Sequence, residues 1–102
     1  MTGLAQSETR GSVAETLEAG LGSVAKLKIL RLMLRNPEHA FTLYEIEKRI
    51  SVKPVSVRNH IVDLKGLGWV EALPYMPKKY KANLGNFTLK RVLTFFESTG
   101  YI

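Results

Sequence analysis

The sequence contains no cysteine, which excludes disulfides, thiolate metal sites and cysteine nucleophiles together. Its two histidines, His39 and His60, are too far apart to form an i, i+4 ligand pair on one helix, so no metal is expected. No apolar run approaches the roughly 20 residues of a membrane span, and no membrane partner is expected. The opening stretch MTGLAQSETRG lacks the basic and apolar regions of a signal peptide, which makes a cytoplasmic location the expectation. Gly66 and Gly68 close a helical pattern instead of opening one, and no third glycine follows, so they are not a dinucleotide fingerprint. The stretch from Gly20 to Lys26 has Ala25 where a phosphate loop requires glycine. No Ser/His/Asp set and no paired carboxylates stand out. Catalytic residues, cofactors and enzymatic activity are therefore not expected.

Acidic residues are also scarce, 9 against 15 Lys and Arg, for a net charge of +6. The imbalance is uneven along the chain. Residues 1–22 hold Arg10 against Glu8, Glu15 and Glu18, a net of −2, so the remaining 80 residues carry +8. A domain that basic attracts polyanions, because each neutralised phosphate releases condensed counterions. At 102 residues, 45% hydrophobic and 24% charged, the chain has the size and composition of one globular domain.

Residues 1–22 are expected to form an arm and a short helix, with Val13, Leu17 and Leu21 at i, i+4, i+8. Ser23 is placed to cap a helix over 24–35. On that helix Lys28, Arg31 and Arg35 form one narrow stripe, read as its solvated side, and nearly all the rest is apolar. A helix apolar over most of its surface needs partners on two sides. Asn36-Pro37 ends it, since a residue before proline is pushed out of the αR region. Phe41 begins a strand of one or two residues, and Thr42-Leu43-Tyr44-Glu45 matches a capping box. The helix that follows buries Leu43, Ile46 and Ile50 and leaves Glu45, Glu47, Lys48 and Arg49 outside.

Pro54 suits the first position of another helix, with Val57, Ile61 and Leu64 inward and His60 beside them as a half-buried packing residue. Gly66 and Gly68 are expected to supply the left-handed conformation that ends it. Residues 69–75 and 80–84 have strand chemistry around a basic tip, Met76-Pro77-Lys78-Lys79. A last helix runs from Gly85-Asn86 to about Ser98, amphipathic through Leu89, Val92, Leu93 and Phe96. The order is helix, short strand, helix, helix, hairpin, helix. That is an α+β fold, mainly α: a winged helix-turn-helix over 23–85 with a two-stranded wing and a C-terminal helix over 86–102.

The segment VKPVSVRNHIVDLKGLGWV, residues 52–70, resembles the recognition-helix region of ArsR-like and MarR-like winged-helix transcriptional regulators. Those proteins run small-Val-x-x-His-Leu, then an apolar residue three further on, then Gly-Leu-Val. Here Ser56 to Ile61, Leu64 and Gly68-Trp69-Val70 fill those places. The resemblance covers 24–84, and the small, basic, cysteine-free form is similar to compact archaeal winged-helix proteins. It implies a homodimeric regulator of transcription that binds double-stranded DNA, with Lys53, Ser56, Arg58 and Asn59 toward the duplex and Lys78-Lys79 in the wing. The cysteine and histidine clusters of metal-sensing ArsR proteins are absent, and the long flanking helices of MarR proteins are shortened.

Projection at about 100° per residue, with Val57, Ile61 and Leu64 inward, independently turns Val55, Asn59 and Val62 outward and puts Arg58 on one flank. Arg reads guanine, Asn adenine, and an apolar side chain the thymine methyl, in a major groove about 12 Å wide that admits one helix. Lys53 and Ser56 stand where phosphate is bound by a first helical turn. Lys78, Lys79 and Lys81 give the wing a basic edge for the backbone, although lysines on an edge hairpin also prevent strand aggregation. The apolar excess of Leu17, Ile29, Leu32, Met33, Val92, Phe95 and Phe96, with Phe87, Tyr101 and Ile102 beyond what one small core holds, suggests a dimer interface. A winged-helix module for protein–protein contact in a transcription or replication assembly is the alternative.

Overall fold

The computed structural model describes residues 22–102. The arm and the short helix expected over residues 1–22, Leu17 included, lie outside the described residues up to residue 21. Four helices and two strands follow in the expected order, and their ends are set by identifiable side chains.

Helix α1, Val24–Arg35, starts at Ser23, whose hydroxyl oxygen accepts from the Lys26 amide at 3.1 Å. It stops at Asn36, which donates its side-chain amide to the Leu32 carbonyl at 2.8 Å, just before Pro37. Helix α2, Leu43–Ile50, opens with the capping box. The Thr42 hydroxyl accepts from the Glu45 amide at 3.1 Å, and the Thr42 amide donates to the Glu45 carboxylate at 2.9 Å, so two otherwise orphaned donors are satisfied. Ser51 ends α2 in the left-handed region, φ 53°. Helix α3, Pro54–Gly66, then begins with proline in its first turn.

Of the two glycines expected in the left-handed region only Gly68 is there, at φ +78°, while Gly66 remains the last helical residue. A side chain at 68 is strained by that φ and also crowded, since a Cβ would lie 3.2 Å from Asn86 Nδ2. Strand β1, Val70–Leu73, pairs antiparallel with β2, Lys79–Ala82, with Val70 opposite Ala82 and Leu73 opposite Lys79. The strands are shorter than the aromatic pattern suggests. Pro74 has no amide to continue the ladder. At the other end Asn83 takes over: its backbone amide donates to the Trp69 carbonyl and its side-chain amide to the Gly68 carbonyl, each at 2.8 Å. Phe41 makes its short strand as a bridge to Tyr80, with reciprocal amide–carbonyl bonds of 2.8 and 2.7 Å. Helix α4, Phe87–Thr99, is capped by Asn86, which accepts from the Leu89 amide at 2.9 Å.

One core collects these elements. Ile29 and Met33 of α1, Phe41, Ile46 of α2, Val57 and Leu64 of α3, Leu89 of α4 and Tyr101 are all fully buried. The expected interface set needs correction here. Ile29, Met33 and Phe96 are 0%, 1% and 2% exposed, so their side chains are used inside the protomer. Tyr101 is also core and not surplus surface. Gly100, at φ +83°, turns the chain back after α4 so that the Tyr101 amide donates to the Phe96 carbonyl at 2.9 Å. The Tyr101 ring then packs edge-on against Phe96, 4.9 Å between centroids.

Two aromatic truncations test this division. Tyr101→Ala should cost about 3 kcal/mol or more, the usual loss for a buried aromatic. Phe87→Ala, at an exposed position, should change stability by no more than about 0.5 kcal/mol. Urea unfolding measures both, and equal losses would contradict the assignment of Tyr101 to the core.

Candidate nucleic-acid interface

Seating α3 on Val57, Ile61 and Leu64 fixes which side chains face away from the domain. Lys53, Val55, Arg58, Asn59 and Val62 are exposed, and Ser56 is half-buried. Val55 and Val62, at 54% and 63% exposure, stand with Arg58 and Asn59 on the outer side of α3. Among the described residues, no side-chain hydrogen bond or ion pair holds Lys53, Ser56, Arg58 or Asn59. Their donors and acceptors are left to solvent or to a ligand. Asp63, the one acid of α3, lies 3.5 Å from the Lys26 ammonium, which offsets the only negative charge on the helix.

The start of α3 differs from the other helix starts. Side chains of Ser23, Thr42 and Asn86 accept first-turn amides in α1, α2 and α4, whereas Lys53 at the same position of α3 has no capping hydrogen bond. Uncapped amides and the positive end of the helix dipole favour an anion there, and Lys53 adds a full charge.

The hairpin places its basic residues unequally. Lys78 is exposed in the loop between the strands. Lys79 lies with its ammonium 5.4 Å from the centre of the Tyr75 ring. Lys79 and Lys81 share one face of β2, two residues apart. Lys81 differs in having partners: its ammonium is 3.7 Å from the Glu38 carboxylate, its side chain is 30% exposed, and Glu71 is opposite it in the ladder. Lys78 and Lys79 therefore present the free positive charge of the wing.

Other residues take lesser parts. His60 is half-buried, with Nε2 3.4 Å from the Ser23 hydroxyl oxygen and Nδ1 buried without a hydrogen-bond partner. Among the described residues no three His, Asp or Glu side chains gather where a metal ion could be held. No described helix is long and apolar enough to cross a membrane. Beside α4 an apolar cleft of about 360 Å³ opens between Leu27, Leu30, Trp69, Val92 and Phe95, and Phe95 is itself exposed. Of the expected interface residues, Leu32, Val92 and Phe95 thus keep accessible surface. Asn83 had no place in the sequence pattern, since nothing local distinguishes a clamp asparagine from a turn asparagine.

No family model matches the chain and no curated protein matches it. Solved structures do. The reduced form of MarR from E. coli superposes with a TM-score of 0.63 at 21% identity, covering 85% of this chain and 63% of that one. A structure described as the Multiple Antibiotic Resistance Repressor, MarR, gives 0.63 at 22% identity, over 87% and 64%. Wild-type apo MarR from E. coli gives 0.59 at 22%, over 79% and 62%. The likeness establishes the winged-helix fold, and the chain spans a little under two thirds of the length of the MarR structures it matches.

The open start of α3 yields a test that needs no ligand. Lys53→Asp supplies the missing cap and should raise stability by about 1 kcal/mol in urea unfolding. An unchanged or lower midpoint would mean that these amides are already satisfied.

Proposed function

We propose that the chain is a DNA-binding transcriptional regulator. Helix α3 enters the major groove, and the wing lies along the phosphate backbone. The observation that carries this reading is the exposure of unpartnered groups along α3, Lys53 at its uncapped start and Arg58 and Asn59 on its outer side, followed in the chain by a hairpin with exposed Lys78. Asn59 and Arg58 match adenine and guanine edges, and Val55 a thymine methyl. Lys53, Ser56 and the first-turn amides take a phosphate, and Lys78 and Lys79 take the backbone beyond it. Lys81 contributes long-range field more than contact, because Glu38 already faces it. The MarR-like fold and the net charge of +6 support the same reading, and the neighbour described as a repressor belongs to this functional class.

The protein acts as a homodimer in this account, with Leu17, Leu32, Val92 and Phe95 at the contact. The apolar cleft beside α4 also fits the alternative of a protein-interaction module, and salt separates the two. Binding to random-sequence duplex should fall steeply between about 50 and 200 mM salt, whereas an apolar protein contact is nearly insensitive. Fluorescence anisotropy measures this, and absence of duplex affinity at about 50 mM salt would remove the DNA reading.

Arg58→Ala should cost about 1–3 kcal/mol on a specific site and spare non-specific binding. An equal loss on both would place Arg58 on phosphate. Replacing Lys78 and Lys79 together by Ala should weaken all sequences and flatten the salt slope by about 2 units; an unchanged slope takes the wing off the backbone. Sedimentation should show a dimer that Phe95→Asp dissociates, and a monomeric native chain would contradict the proposed assembly.

A further inference from the structure

The stripe Lys28, Arg31 and Arg35, read from its spacing as a solvated helix face, is not alone in three dimensions. Arg49, from the last turn of α2, joins it around an open cleft of about 450 Å³ between α1 and α2, and among the described residues no acidic side chain lines that cleft. The ion pairs of the described residues lie elsewhere, at Lys26–Asp63, His39–Glu45 and Lys81–Glu38. Four like charges around one cleft repel, and apolar walls concentrate their field toward an incoming anion.

Two of the guanidinium groups are also positioned by the core. Arg31 lies 4.8 Å from the centre of the Tyr101 ring and Arg49 5.8 Å from that of Phe41, and both rings are buried. Stacking on an aromatic face holds a planar cation without using its hydrogen-bond donors. Arg31 Nε is buried and has no hydrogen-bond partner.

We propose that this cleft binds a compact, multiply charged oxyanion of the phosphate class. Arg31 supplies a pre-positioned partly buried donor, Arg35 and Arg49 supply planar donor forks suited to paired oxygens, and Lys28 adds a point charge. The predominance of cations over apolar lining disfavours a neutral or hydrophobic ligand. The anion links α1 to the helix that leads, through Ser51, into α3. The same chemistry has two sources, a free phosphorylated small molecule or a phosphate of a nucleic-acid backbone. The site stands on the cleft itself and does not depend on α3 reading DNA.

Calorimetric titration of the whole chain with sodium tripolyphosphate at about 50 mM salt, where screening is modest, tests the proposal. Saturable binding is expected, and it should persist in Lys53→Asp, where the start of α3 is closed to anions. Arg35→Gln combined with Arg49→Gln, both at exposed positions, should weaken it at least about tenfold, as loss of charge-assisted forks requires. Arg31→Gln should weaken it similarly, with Arg31→Lys as the variant that keeps charge but removes the fork. Lys65→Gln with Lys90→Gln, exposed positions that do not line the cleft, should leave it unchanged. Absence of saturable binding, or equal weakening by that control variant, would overturn the site in favour of diffuse charge. Repeating the titration on the duplex-bound protein separates the sources: exclusion by duplex assigns the cleft to backbone phosphate, and simultaneous binding assigns it to a free anion.

Discussion

The burial of Val57, Ile61 and Leu64 is the constraint on which the rest depends. A helix of the length of α3, 13 residues, is marginal by itself in water, so its persistence comes from the face it hides. Each fully buried aliphatic side chain contributes about 1.5–3 kcal/mol relative to exposure, and these three share one stripe. A one-residue rotation of the helix would carry Arg58 toward the core, where an unpaired charge is not tolerated. The same stripe that anchors α3 thereby determines that Val55, Asn59 and Val62 face outward. The proposed recognition face and the core packing are two sides of one rotation.

The exit from α3 carries that orientation into the wing. Gly68 makes the reversal, and Asn83 binds the carbonyls of both Gly68 and Trp69, so the hairpin leaves the helix in one direction. The Phe41–Tyr80 bridge ties the other strand to the start of α2. Rigidity at this end of the molecule contrasts with the uncapped start of α3. Three of the described helices close their first turns with their own side chains, and the fourth leaves its amides open beside a lysine. Local stability is given up at the place where an anion gains most from free donors.

Helix starts were legible because Ser23, Thr42 with Glu45, and Pro54 act through nearest neighbours. The rotation of α3 was equally legible, since a 3.6-residue period projects without knowledge of the partner. The dimer surface was not. Ile29 and Met33 look surplus on a helix taken apart from what covers it, and the chain reversal at Gly100 that returns Tyr101 to the core has no local signature. Strand ends fell short because Asn83, a side chain, replaces a backbone rung. Arg49, expected only on the outer face of α2, meets the stripe of α1 through tertiary packing, which no local spacing encodes.

The central claim is that α3, from its open first turn, and the wing form one nucleic-acid face. Amide chemical-shift mapping of the isotope-labelled chain against a short duplex addresses it most directly. The account expects the largest shifts at Val55, Ser56, Asn59 and Val62 together with Lys78 and Lys79, and small shifts along α4. Shifts centred on Val92 and Phe95, with α3 and the wing unmoved, would contradict it.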